Sequence, residues 1–149
     1  MNEQVLLCAI QDLKEILNKI ENTDNYIEED WIKLEKEIIS FLANLSRYRL
    51  HSKINNELLS GLQFAFNLTK HEKTIISIKN IEEGGISFPI EFPIEFPCNR
   101  VYWLDINGLD IKFKYENQYE NYLKFLSNKR IINTVEKIEK LIINIIEGL

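Results

Sequence analysis

Glycine, proline, cysteine and histidine are all scarce: the 149 residues include 5 glycines, 3 prolines, 2 cysteines and 2 histidines. Few glycines mean few places where a backbone can close on a phosphate or a dinucleotide. The chain has no P-loop, GxGxxG, GxSxG or HExxH motif. Its one glycine pair, Gly84-Gly85, reads as a turn. Cys8 and Cys98 have no CxxC spacing, and with so little histidine no structural zinc site is expected. Cys98 has no base near it in sequence, so it does not read as a nucleophile. Long apolar runs are missing too. The greasiest, Leu141 to Ile146, is broken by Asn144 and falls well short of the ~18 residues of a membrane span. Glu3 and Gln4 precede only a short apolar run, which does not read as a signal peptide. The expectation is a cytoplasmic protein with both thiols free, no metal and no cofactor.

Charge of one sign is not concentrated anywhere. Lys and Arg number 18 and Asp and Glu 23, a net charge of −5 spread over both halves. Dedicated nucleic-acid binders usually carry a basic stripe, so this balance fits a basic protein partner better. At 45% hydrophobic and 28% charged, the composition is that of a globular chain able to bury a core. Isoleucine, lysine and asparagine are heavily used, a bias typical of AT-rich coding DNA in low-GC bacteria and phages; it does not bear on function.

Helical periodicity dominates both ends. Leu6, Ile10, Leu13, Leu17 and Ile20 recur at steps of three and four, on one helix face. A capping cluster at Asn22, Thr23 and Asp24 follows. Ile27, Trp31, Leu34, Ile38, Phe41 and Leu45 form a heptad-like stripe, with Glu28, Glu29 and Asp30 in the first turn, where the helix dipole favours acids. Leu58, Leu62, Ala65 and Leu68 mark a third helix capped by Ser52 or Asn55. Near the C-terminus, Tyr119, Tyr122, Leu123 and Leu126 make a short helix. Ser127 or Asn128 then caps a long one with Ile131, Val135, Ile138, Ile142 and Ile145.

Between them the period becomes two. From Ile86 to Phe96 every even residue is apolar, and Pro89, Pro93 and Pro97 remove N–H donors from one side only, as an edge strand tolerates. Asn107-Gly108 suits a two-residue type I′ turn joining two alternating runs. That register sets Leu104 opposite Ile111, Trp103 opposite Lys112 and Asp105 opposite Asp110. It buries Tyr102, Leu104 and Ile106 and turns Trp103 outward. Thr74 to Ile81 is a further strand candidate. The expected fold is α+β and mostly α: three N-terminal helices (1–70), a three- or four-stranded antiparallel meander (74–115) and two C-terminal helices (116–149), all in one domain.

Three functional readings follow. The leading one is a non-catalytic protein that covers a partner's surface, as an immunity or antitoxin-like inhibitor, a phage-encoded blocker or a small subunit of a complex. Its contacts would be Trp103 as an outward aromatic anchor, with Asp105, Asp110, Glu91 and Glu95 steering a basic partner. The second is a nucleic-acid binder or nuclease-like protein using Arg47, Arg49, His51 and Lys53, a cluster that also suits a helix C-terminus. The third is a small enzyme whose site converges from scattered residues. A second copy of the chain, packed through the heptad-like stripes, is a further candidate partner. Cys8, beside the first stripe, is expected to be packed, and His71 to lie on the surface.

Overall fold

The computed structural model describes residues 3–23, 27–48, 56–71, 74–80, 99–106 and 116–148. Helix α1 runs over Glu3–Glu21 and α2 over Glu28–Arg47. Their apolar stripes face each other. Leu6, Ile10, Leu13, Leu17 and Ile20 of α1 are buried, as are Leu34, Ile38, Phe41 and Leu45 of α2. The first residues of the second stripe depart from expectation: Ile27 is 56% exposed, ahead of the helix, and Trp31 is only half-buried. Asp30 joins the two helices at their near ends. Its carboxylate accepts the Ile27 N–H at 3.3 Å and the Lys19 ammonium at 2.7 Å. It thus satisfies an orphan donor of the α2 first turn while pairing with the last turn of α1. The Lys19 hydrogen bond, with the Ile27 N–H, holds the Asp30 carboxyl below its ordinary value.

Helix α3 spans Glu57–Lys70, α4 Glu116–Phe125 and α5 Ile131–Gly148. The cap of α3 is Asn56, whose side chain accepts the Leu58 N–H at 2.8 Å, not Ser52 or Asn55. Helices α3 and α4 approach closely at Gly61. A Cβ there would stand 3.1 Å from the backbone of Asn121 and Tyr122. Beside that contact, Phe64 packs edge-on against Tyr119 at 5.6 Å and tilted against Tyr122 at 5.5 Å. Between α4 and α5 the chain turns through Asn128, whose φ of 60° is in the left-handed region that asparagine tolerates. Asn128 is therefore a turn residue rather than the cap of α5.

Among the described residues the sheet has two strands, β1 (Ile76–Asn80) and β2 (Asn99–Trp103), antiparallel, with Ile76 opposite Trp103, Ile78 opposite Val101 and Lys79 opposite Arg100. Five helices among the described residues, with this small sheet, make the fold mostly α with a minor β part. The proline-rich run 86–97, the Asn107-Gly108 turn and residues 109–115 lie outside the described residues.

Near its C-terminal end β2 has backbone partners on both edges. Leu104, just past the strand, gives its N–H to Ile75 O at 2.8 Å, on the β1 side. The opposite edge is also occupied: Trp103 donates to Lys129 O at 2.9 Å and accepts from Asn128 N at 3.0 Å, with Tyr102 bridged to Arg130. Within β2 the buried face is the reverse of the expected one, whereas Ile106, past the end of the strand, is buried as expected. Asn99, Val101 and Trp103 point inward, while Arg100 and Tyr102 point out. The buried side chains of all seven elements form one cluster.

Candidate interaction surfaces

Trp103 is fully buried, and its indole N–H donates to the Thr134 hydroxyl of α5 at 2.9 Å. This corrects its assignment as an outward anchor. The indole has both the apolar surroundings and the acceptor that a buried tryptophan needs, so it is core. A short strand with mixed patterning on both faces does not show which face is inward. The partner that decides the matter, Thr134, is 31 residues further on.

Asp105 is exposed, as expected, and accepts from the Ser127 hydroxyl at 3.0 Å. Asp110, Glu91 and Glu95 lie outside the described residues, as do Arg49, His51 and Lys53. Arg47 is described: it is exposed in the last turn of α2, where a cation offsets the helix dipole. Beside it, the Tyr48 hydroxyl donates to Glu3 Oε1 at 2.6 Å. Desolvation, and then the Glu3 carboxylate, push the Tyr48 phenol up to about 12. Cys8 is exposed rather than packed, and His71 is exposed at the end of α3. No group of three His, Cys, Asp or Glu side chains that could hold a metal occurs among the described residues.

The residues missed by sequence reasoning form a polar node at the foot of the sheet. Glu21, 5% exposed at the end of α1, accepts the Val101 N–H at 3.0 Å through Oε2 and the Arg130 guanidinium at 2.6 Å through Oε1. Asn99 donates its side-chain amide to Thr23 O at 2.8 Å. The Glu21 carboxylate thus takes the place of a strand along an edge of β2 that would otherwise keep an unpaired donor. Tyr122 makes the matching bond at the other end of β2, donating its hydroxyl to Leu104 O at 2.7 Å, and burial raises its phenol well above the ordinary value.

Two outward surfaces stand apart from these packed groups. One is on α2. Ile32 and Ile39, seven residues apart on the same face, are 57% and 45% exposed. Ile39 borders an open depression of about 220 Å³ walled by Glu35, Ile38, Thr69, Ile75 and Ile76. Glu28 and Glu35 flank Ile32 at helical spacing, and Lys36 stands one turn from both isoleucines, so the strip has a charged border with two acids and one base. The other is the outer face of the sheet, where Lys79, Arg100 and Tyr102 stand together. No described helix is long and apolar enough to cross a membrane. No family model, no curated protein and no solved structure matches this chain.

Proposed function

We propose that this chain is a non-catalytic binding protein that acts by covering the surface of a basic protein partner, as an immunity or antitoxin-like inhibitor, a blocker of phage origin, or a small subunit of a larger complex does. The exposed Ile32 and Ile39 of α2, the second of them beside the depression, carry this reading. Large aliphatic side chains left in water favour an occupant, and a partner side chain with an apolar body can enter a hollow walled by isoleucines and threonines. The net charge of −5, with Glu28 and Glu35 outnumbering Lys36 around the strip, supports a partner whose apolar anchor is ringed by lysine or arginine. The role first given to Trp103 passes to Ile32 and Ile39. Asp105, and with it Asp110, Glu91 and Glu95, keep their proposed part as carboxylates that steer a basic partner.

The test is capture of partners by the tagged protein from lysate of the encoding cell, with and without nuclease, for the native chain and for Ile32→Asp and Ile39→Glu. A stoichiometric protein that survives nuclease and whose affinity drops about tenfold or more in either variant is the expected result. A partner insensitive to both substitutions would remove α2 from the interface, and capture that disappears with nuclease would overturn the reading.

A further inference from the structure

The outer face of the sheet carries a charge arrangement that folding alone does not favour. Lys79 and Arg100 are directly opposite each other in the antiparallel register. Like charges so placed repel and weaken the pair. The described ion pairs are Lys14–Glu139, Lys19–Asp30, Lys124–Glu57 and Arg130–Glu21. Neither Lys79 nor Arg100 has a carboxylate partner among the described residues. Arg100 reaches only its neighbour's carbonyl, Asn99 O, at 3.3 Å. Lys79 lies over the Tyr102 ring, 4.8 Å from its centroid, and its ammonium ends on the side-chain oxygen of Asn128. Two cations without a carboxylate partner among the described residues thus stand beside one tyrosine ring, with Lys79 over it, on a molecule whose overall charge is negative.

We propose that this face binds single-stranded nucleic acid, independently of the α2 surface. Lys79 and Arg100 would hold two neighbouring phosphates, and a base would stack on Tyr102 as Lys79 swings from the ring to a phosphate. Cations interleaved with an aromatic are the elements of a sequence-tolerant single-strand platform. An acidic peptide would satisfy the two cations equally well but has no use for the ring, and this difference separates the two partners.

The probe is a fluorescently labelled mixed-sequence RNA of about 16 nucleotides and its DNA counterpart, titrated with the full chain at low salt. With two phosphates neutralised, the slope of log K against log salt is about −1.4, so affinity falls about sevenfold between 50 and 200 mM salt. Arg100→Glu should abolish binding. It should also leave the melting temperature equal or higher, because it converts a repulsive cross-strand pair into an attractive one. That opposite movement separates lost binding from lost folding. Tyr102→Leu should cost at least about fivefold in affinity with the salt slope unchanged. No binding at low salt, or binding that Arg100→Glu leaves intact, overturns the proposal. So does displacement by polyglutamate combined with indifference to Tyr102→Leu, which would assign the face to acidic peptides.

Discussion

The helical layer and the sheet region of this protein are held together in different ways. In α1, α2 and α5 the core is periodic, and each buried side chain does much what its neighbours a turn away do. Leu13, Leu17, Leu34, Ile38, Val135 and Ile138 are all buried and interchangeable in kind. Strand β2 has no such redundancy. It is fixed by single bonds to distant residues: Val101 to Glu21, Trp103 to Thr134 and to Lys129, and Leu104 to Tyr122. A core of repeated contacts loses stability in proportion to the atoms removed. One built on unique polar partners loses it abruptly, because each deleted partner leaves a buried group unsatisfied.

The contrast can be tested most strongly at Trp103. Trp103→Ala should cost about 3–5 kcal/mol in urea unfolding, against about 0.5–1.5 kcal/mol for Ile138→Val in the helical layer. A small loss at Trp103 would mean that β2 is not the keystone described here. Next comes Glu21. Glu21→Ala strips a partner from both the Val101 N–H and the Arg130 guanidinium. The expected loss is about 2–3 kcal/mol, less than for a fully buried pair because the Arg130 side chain is 33% exposed. Glu21→Gln keeps an acceptor oxygen and should lose roughly half as much. Equal losses in the two variants would show that charge matters here and the hydrogen bond to Val101 does not.

The smallest effect concerns the two tyrosines that link distant elements. An unfolded tyrosine ionises near 10, whereas in the fold Tyr48 does so at about 12 and Tyr122 is also raised. As pH rises past about 10, the unfolded chain releases these protons first. The stability they provide is therefore complete below pH ~10 and is lost as pH climbs towards 12 and beyond. Tyr122→Phe should cost about 1 kcal/mol at neutral pH and flatten the fall in stability above pH 10. An unchanged alkaline slope would show that the Tyr122 phenol does not contribute to it.

The same division explains what could be read from the sequence. Periodic stripes predicted three helices before the sheet and two after it, because 3.6-residue spacing repeats often enough to outweigh exceptions such as Ile27. The β1 strand falls inside the short apolar run at 74–81, a pattern that suits helix as well as strand. The inward face of β2 was not legible. Val101 and Trp103 on one side and Tyr102 and Leu104 on the other are equally apolar, and nothing local marks Thr134 or Glu21 as the partners that decide between them. Asn107-Gly108 is a strong local hairpin signal, yet Leu104 pairs with Ile75, about 30 residues earlier in the chain. The surface sites were harder still. Ile32 and Ile39 look like ordinary helix residues until their exposure is known, and the opposition of Lys79 to Arg100 exists only once the strands are in register.

The Glu21–Arg130 bond also sets a clock on synthesis. Its two ends are separated by 109 residues of chain. At about 5–20 residues per second, a ribosome takes roughly 5–20 s to deliver Arg130 after Glu21 has emerged. Helices α1 and α2 can meet early in that interval, since their contacts are local. The Glu21 carboxylate then waits in water at the end of a formed helix. The bond between Glu21 and Arg130 can therefore close only when almost the whole protein has been made.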